Sequence, residues 1–236
     1  MPNLPFAGAI SRFFTAGNYI TSAPHGGARI AAVELTAATC AAYASHVPLF
    51  TRQPQQKHAL ALAMTGVALG DRLLQVGCTD GSLLGAIGSK VGLSGRMCAV
   101  VPDAAQAERA RRAAEKFGFL LEIETGQLRQ APFEDGAFNL IVVDNQQGLL
   151  SSMRPEDRVA TLRKAFRLLA PRSRIVIIEQ GPRGGLGALF GARASAPVDP
   201  HYSAAGGAIV ALEAEGFRAA RLLGERDGLS FFEGVR

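Results

Sequence analysis

The chain has 236 residues, which suits a single α/β domain with one substantial hydrophobic core. Hydrophobic residues make up 48% and charged residues 19%, so a mostly disordered chain is excluded. The formal net charge is +5, but basic and acidic residues are mixed along the chain. The one tight basic cluster, at Arg109, Arg111 and Arg112, has acids beside it and no aromatic residues, so we favour a solvated helix face over a nucleic-acid site.

The cysteines and the N-terminal residues bear on the compartment. Cys40, Cys78 and Cys98 have neither metal-ligand spacing nor the density of a disulfide scaffold, which predicts a reducing compartment and no metal site. The N-terminus lacks a basic segment followed by an apolar one, and no apolar run is long enough to cross a bilayer. We therefore expect a cytoplasmic protein without a transmembrane segment.

Residues 1–60 differ in composition from the rest of the chain. They are rich in Ala, Thr, Pro and Gly and carry few charges. Helical patterns run over residues 31–44 and again around residues 55–66. We interpret residues 1–60 as a helical N-terminal arm or lid and residues 61–236 as the α/β domain.

The most informative segment begins at residue 72. Its sequence is Arg72-Leu-Leu-Gln-Val-Gly-Cys-Thr-Asp-Gly-Ser82, an apolar run followed by a turn between Gly77 and Gly81. Residues 81–91 then have a helical pattern. A strand, a tight glycine turn and a helix N-terminus together present backbone N–H groups to a polar ligand.

A strand–helix rhythm follows that turn. Apolar runs typical of strands occur at residues 72–77, 96–101, 119–124, 138–144 and 173–179. Helices are predicted between them, including Ala104–Phe117 behind a possible N-cap at Asp103, and Pro155–Leu169 stopped by Pro171. This alternation predicts a doubly wound, mainly parallel sheet.

The C-terminal residues break the rhythm. Residues 219–225 and 229–235 are both strand-like, and Asp227-Gly228 separates them. Asp-Gly between two such runs is a hairpin signal, so we expect the sheet to end in an antiparallel pair.

Three segments in this order resemble class I S-adenosylmethionine-dependent methyltransferases, of the group that includes the ubiquinone and menaquinone biosynthesis enzymes. They are Leu74-Gln-Val-Gly-Cys-Thr-Asp-Gly81, Pro132-Phe-Glu-Asp-Gly-Ala-Phe-Asn-Leu140 and Leu168-Leu-Ala-Pro-Arg-Ser-Arg174. The resemblance covers about residues 60–236. It implies a Rossmann-like methyltransferase fold with a seven-stranded sheet, S-adenosyl-L-methionine as the cofactor, and a small acceptor molecule that could be apolar.

The chain departs from the family at positions of frequent negative charge. Gln75 stands at the position where the family's loop usually opens with an acidic residue. Val101 stands where the family has the acidic residue that bonds the cofactor ribose. The adenine-contacting acid aligns with Gln127, and the acid after Phe138 is Asn139. A hydrogen bond to a charged group contributes about 1.5–3 kcal/mol, so losing the ribose carboxylate alone predicts binding weaker by roughly ten- to over a hundredfold.

The resemblance and the strand ends together define the candidate site. Asp144 could hold the cofactor amino group or orient the acceptor, and His201 and Tyr202 are the candidate general bases. Asp80 is expected to cap the helix after the turn, and Cys78 to be small rather than nucleophilic. The candidate cofactor-binding residues are Gln75, Gly77, Cys78, Thr79, Asp80, Gly81, Val101, Pro102, Gln127, Leu128, Asp144 and Asn145.

Two functions of different classes stay open at this point. One is a methyltransferase whose small acceptor is enclosed by the arm and by residues 181–204. The other is a non-catalytic protein that keeps the fold as a binding or assembly module, which the lost cofactor contacts favour. A nicotinamide-dependent oxidoreductase fits less well, because Gly77-x-x-x-Gly81 lacks the Gly-x-Gly-x-x-Gly spacing. The sequence leaves the acceptor and the oligomeric state undetermined.

Overall fold

A computed structural model describes residues 58–180, 200–204, 206–226 and 228–236. The described residues all belong to one compact unit, which spans residues 51–236. The predicted arm and its helix over residues 31–44 lie outside the described part, so the arm stays a prediction. The helix expected around residues 55–66 is present as α1, which covers Ala59–Thr65 and ends at Gly66 in the left-handed conformation.

The described elements alternate between strand and helix up to the fifth strand. The other helices are α2 (Ser82–Val91), α3 (Ala104–Phe117), α4 (Pro155–Leu168), α5 (Pro200–Ala204) and α6 (Gly207–Ala214). The strands are β1 (Arg72–Val76), β2 (Arg96–Val101), β3 (Glu122–Thr125), β4 (Phe138–Asn145), β5 (Leu169–Gln180), β6 (Arg218–Arg226) and β7 (Leu229–Val235).

The seven strands form one sheet in the order β3-β2-β1-β4-β5-β7-β6. Strands β1 to β5 are parallel, whereas β7 pairs antiparallel with both β5 and β6. The predicted fold class is therefore confirmed: a doubly wound, mainly parallel seven-stranded sheet that ends in an antiparallel hairpin. No helix in the described part of the chain is long and apolar enough to cross a membrane.

Two element boundaries differ from the sequence prediction. Strand β3 begins at Glu122 rather than at residue 119, because Phe119 lies in the turn that closes α3, where its N–H donates to the carbonyl oxygen of Ala114. Helix α4 ends at Leu168 and β5 begins at once at Leu169, four residues before the predicted strand. Pro171 favours extended backbone in the residue before it, so the chain passes directly from helix to strand.

Each face of the sheet is covered by its own hydrophobic cluster. Leu73 on β1 and Val142 on β4 pack on the face covered by α1, α2 and α3. Leu74 and Ile141 pack on the face covered by α4 and α6. Because side chains alternate along a strand, Gln75 and Asp144 share the first face, while Asn145 points to the second.

Candidate functional site

The candidate site lies where β1 and β4 end side by side. The order of the strands reverses between these two neighbours, which is where open α/β sheets bind ligands. The turn after β1 needs glycine at Gly77 and Gly81, whose φ angles are +85° and +75°. A Cβ at Gly77 would lie 3.0 Å from the carbonyl oxygen of Asp144, and one at Gly81 would lie 3.1 Å from that of Arg109. The glycines therefore let the turn pack tightly against β4 and α3.

Side chains from other elements hold the backbone of this turn. The N–H of Cys78 donates to Oε1 of Gln106 at 2.8 Å, and the N–H of Thr79 donates to Oδ2 of Asp144 at 2.9 Å. Gln106 was not predicted as part of the site, because it lies 28 residues away on α3 and carries no recognisable motif. The chain's own acceptors thus engage two N–H groups that could face a ligand.

Asp144 is the one buried carboxylate at this turn, with 3% of its surface exposed. Its Oδ1 accepts from Nε2 of Gln146 at 3.1 Å, while its Oδ2 accepts from Thr79. Burial raises the pKa of Asp144, and the hydrogen bonds from Thr79 and Gln146 act in the opposite direction. A carboxylate that loses solvation in this way would be stabilised by a cationic group placed next to it.

Gln75 supplies a second buried acceptor on the same face. Its Nε2 donates to the carbonyl oxygen of Gly77 at 3.0 Å, as expected for a residue that supports the turn. Its Oε1 is fully buried and has no hydrogen-bond partner among the described residues. An unpaired buried polar atom costs about 1–3 kcal/mol, so this oxygen favours a ligand or water that can donate to it.

Cys78 is not set up as a nucleophile. It is 1% exposed, and burial raises the pKa of its thiol to about 11, with the charge of Asp144 adding to the effect. At neutral pH the group is therefore a thiol and not the reactive thiolate.

Asp80 and Ser82 connect the turn to α1. Asp80 Oδ1 accepts from the N–H of Ser82 at 2.9 Å, so its carboxylate does bond the first turn of α2, although the N-cap residue itself is Gly81. Ser82 Oγ donates its single proton to Asp80 Oδ2 at 2.8 Å. His58 Nε2 lies 2.7 Å from the same Oγ and must then be the donor, so His58 acts as a tether here and not as a base.

The positions expected to meet the nucleoside offer little polar chemistry. Val101 is fully buried in the cluster under α2 and α3, and its carbonyl oxygen accepts from the N–H of Gly126 at 2.8 Å. Pro102 is exposed and has no polar side-chain atom. Asp103 caps α3 as predicted, by accepting from the N–H of Gln106 at 2.8 Å.

Two more of the predicted contacts follow the end of β3. Gln127 is exposed, and its Oε1 accepts from the guanidinium of Arg129. Leu128 is 2% exposed and packs in the cluster on the opposite face of the sheet. Asn139, where the family has an acid, ties the start of β1 to β4: it accepts from the N–H of Arg72 and donates to Asp71.

A second cluster of polar side chains forms at the C-terminal ends of β4 and β5. Asn145 Nδ2 donates to Glu179 Oε1 at 2.8 Å, and Asn145 Oδ1 accepts from the N–H of Leu150 at 2.6 Å. Tyr202 donates its hydroxyl to the same Glu179 oxygen at 2.7 Å. Glu179 can bond Asn145 because the two residues lie opposite each other in the register of β4 and β5.

This arrangement bears on the predicted general bases. Burial, followed by the charge of Glu179, raises the pKa of Tyr202, which therefore stays protonated and suits a donor better than a base. His201 lies beside it on α5, and its side chain is outside the described part. In the described part of the chain, no group of three or more His, Cys, Asp or Glu side chains could hold a metal ion.

An apolar cavity of about 160 Å³ lies between α4 and the helices α5 and α6. Tyr202 and Arg158 form part of its wall, with the Arg158 guanidinium 4.7 Å from the centre of the Tyr202 ring. The helices that line it cover the sheet face opposite Gln75 and Asp144, so this cavity is separate from the turn.

The fold matches the Rossmann-like fold of methyltransferases. Residues 73–172, less than half of the chain, match the family model described as a methyltransferase domain. A SAM-dependent methyltransferase from Aquifex aeolicus has a similar structure, with a TM-score of 0.57 and 18% identity, over 78% of this chain and 89% of that one.

Two further proteins are similar to this chain. The [4+2]-cyclase SpnF is similar with a TM-score of 0.56 and 14% identity, over 77% of this chain and 80% of that one. An uncharacterized 37.1 kDa protein in a transposon of Streptomyces fradiae is 31% identical over 110 residues. That alignment spans 47% of this chain and 30% of the length of the Streptomyces protein.

Proposed function

We propose that the protein is an S-adenosyl-L-methionine-dependent methyltransferase that acts on a small acceptor. The match of residues 73–172 to a methyltransferase domain and the fold support this proposal. The observation that carries it is the pair of buried acceptors at the turn, the unpaired Oε1 of Gln75 and the carboxylate of Asp144. They lie on one face of two neighbouring strands.

The amino-acid end of the cofactor fits this pair. S-adenosylmethionine carries an ammonium and a sulfonium, and an ammonium can donate to both the amide oxygen of Gln75 and the carboxylate of Asp144. When bound, the cofactor supplies a methyl group activated for in-line displacement. The residues Gln75, Thr79 and Asp144 would bind and orient its amino-acid end, and such positioning can provide much of the rate acceleration.

The nucleoside end fits less well. Val101 has no exposed surface and Pro102 has no polar side-chain atom, so neither can bond the ribose hydroxyls through its side chain. We therefore expect affinity to rest on the amino-acid end, and to be roughly ten- to a hundredfold weaker than with a ribose-binding carboxylate. Gln127 is exposed and could still offer its amide to adenine.

The acceptor side is proposed at the ends of β4 and β5. Glu179 is held there by Asn145 and Tyr202, and both of its bonds go to one carboxylate oxygen. The other oxygen could accept a proton from an acceptor molecule, while His201 on α5 stays a second candidate base. A small and apolar acceptor, as the family resemblance implies, is part of the proposal.

A non-catalytic role is the second candidate, and the turn itself favours it. Gln106 and Asp144 already accept from the N–H groups of Cys78 and Thr79, so these two N–H groups are satisfied without a ligand. The similarity to a protein named a [4+2]-cyclase also shows that this fold does not fix the reaction.

Calorimetric titration with S-adenosylhomocysteine, comparing wild type with Gln75→Leu, tests the proposal. Leucine has a similar volume and removes both the unpaired oxygen and the Nε2 donor that bonds the carbonyl of Gly77. These two losses act on stability in opposite directions, and we expect the variant to bind the ligand at least tenfold more weakly. Gln130→Leu, at an exposed position, is the matched control and should leave affinity unchanged. Equal affinity of wild type and Gln75→Leu would remove Gln75 from the site, and no binding by wild type would favour the non-catalytic role.

A further inference from the structure

Three leucines stand out on the surface of the described part. Leu69, Leu93 and Leu120 are 72%, 74% and 79% exposed, whereas the other exposed large apolar side chains, Val159, Val210 and Leu222, reach at most 45%. Scattered exposed leucines are ordinary and need no explanation. These three share a position, however, because each lies in the connection that leads into one of the strands β1, β2 and β3.

The three connections are neighbours in space. Strands β3, β2 and β1 are adjacent in the sheet, and Arg72 at the start of β1 pairs with Arg96 at the start of β2. Leu69 Cδ1 lies 2.6 Å from the place that a Cβ on Gly92 would occupy, so its side chain rests on the turn that carries Leu93. Neighbouring strands are about 4.8 Å apart, which places the leucines in a row along this edge. We call this set the leucine row.

Cationic side chains accompany the leucine row. Lys90 and Lys116 lie in the last turns of α2 and α3, just before Leu93 and Leu120, and both are exposed. Arg72 is exposed at the start of β1, and none of these three cations forms an ion pair within the described residues.

The acids nearby leave an excess of positive charge at this edge. Arg96 is neutralised by its 2.7 Å pair with Glu122. Asp71 is engaged with the N–H of Ala68 and with Asn139, and Glu115 is exposed beside Lys116. Hydrogen bonds to neutral groups leave the charge of Asp71 in place, so in these three connections Arg72, Lys90 and Lys116 exceed Asp71 and Glu115 by one charge.

Exposed leucine side chains flanked by cationic side chains fit an anionic lipid surface. A second copy of this chain would bring the same cations face to face, which opposes self-association across a two-fold axis. A protein partner would favour exposed Trp, Tyr or Arg anchors over leucine, and no aromatic side chain is among the exposed large apolar residues of the described part. Insertion of leucines with lysines at the head groups is the usual mode of interfacial binding.

We propose that the leucine row and its cations dock this domain on an anionic membrane surface. The row lies at the edge where the parallel strands begin, whereas the turn at Gly77 lies at the edge where they end. The docked domain therefore holds its candidate site away from the bilayer, and the contact serves as an anchor and not as an entrance to the site. The proposal does not depend on methyl transfer.

Flotation of the full chain with lipid vesicles tests the anchor. Vesicles of phosphatidylcholine with about one third phosphatidylglycerol should carry the protein, and phosphatidylcholine alone should carry much less of it. Leu93→Ser/Leu120→Ser should weaken binding tenfold or more, because the apolar tips are lost. Lys90→Gln/Lys116→Gln should weaken it roughly 25-fold on anionic vesicles, at about fivefold for each cation, and added salt should reproduce that loss.

The matched control is Val210→Ser/Leu222→Ser, which removes two exposed apolar side chains away from this edge and should bind like wild type. Circular dichroism verifies that all variants are folded. Absence of wild-type binding to anionic vesicles overturns the proposal, as does equal binding by the Leu93→Ser/Leu120→Ser variant. A wild-type dimer that this variant converts to a monomer, without vesicle binding, would assign the leucine row to self-association instead.

Discussion

Replacing Asp144 with asparagine separates the binding role of its charge from its structural role. Asparagine keeps the shape and can still accept from the N–H of Thr79 through its carbonyl oxygen, and the Gln146 amide can turn to meet the new NH₂ group. What disappears is the negative charge that would face the ammonium of the cofactor. A hydrogen bond to a charged partner contributes about 1.5–3 kcal/mol, so affinity for S-adenosylhomocysteine should fall by roughly 10- to 150-fold.

The same substitution should not cost stability above acidic pH. Because burial raises the pKa of Asp144, the folded chain binds this proton more tightly than the unfolded chain does. Between the ordinary carboxyl pKa and the raised one, the native state holds more protons, so this group lowers wild-type stability as pH rises. Below the ordinary pKa both states are protonated and the contribution vanishes. The advantage of Asp144→Asn in unfolding free energy should therefore grow as pH rises from 4 through the raised pKa.

Urea unfolding across that pH range and calorimetric titration with S-adenosylhomocysteine measure the two effects. Asp135→Asn removes an exposed carboxylate in the connection before β4 and serves as the control, with neither effect expected. Unchanged affinity in folded Asp144→Asn would refute the role of its charge in binding. A loss of stability that grows with pH would refute the argument that burial disfavours the charged form.

Three further predictions follow from the site. Cys78 should resist iodoacetamide in the native protein at neutral pH and react after unfolding, as followed by peptide mass mapping, because its pKa is near 11. Tyr202→Phe should lower the unfolding free energy by about 1–3 kcal/mol through loss of the bond to Glu179, and Glu179→Gln should couple to it in a double-mutant cycle. Gly77→Ala and Gly118→Ala should each lower the unfolding free energy by about 1–2 kcal/mol, because both positions have a positive φ. Gly77→Ala should lower it further, because its Cβ would press on β4, whereas a Cβ at Gly118 meets no atom within 4 Å.

Each of these has a clear contrary result. If Cys78 is labelled as fast in the native protein as in the unfolded chain, its thiol is accessible or its pKa is lower than about 11. Additive effects of Tyr202→Phe and Glu179→Gln would mean that the two groups do not interact in solution. Equal losses for the two glycine variants would mean that the turn has room for a side chain at Gly77.

Much of the fold could be predicted from the sequence because its signals are local. The Asp227-Gly228 turn between two strand-like runs predicted the hairpin, and the cap at Asp103 predicted the start of α3. The boundary at β3 was misplaced because apolar Phe119 suits a strand, whereas in the structure it completes the end of α3 and packs against Gly88.

The site was less predictable because its contacts join distant parts of the chain. Nothing local shows that Gln106 reaches the N–H of Cys78, or that Tyr202 reaches Glu179 across a gap of 23 residues. The unpaired oxygen of Gln75 is likewise visible only after its neighbours are placed. Leu128 was predicted to contact the cofactor, but its side chain packs in the hydrophobic cluster on the sheet face covered by α4 and α6.

In the proposed function, the turn holds the amino-acid end of S-adenosylmethionine through Gln75 and Asp144. Its most direct test compares the affinities of S-adenosylhomocysteine and 5′-methylthioadenosine, which has the same nucleoside but no amino-acid group. We predict that S-adenosylhomocysteine binds at least tenfold more tightly, because its ammonium meets the two buried acceptors. Equal or tighter binding of 5′-methylthioadenosine, or no binding of either at millimolar concentration, would contradict the account.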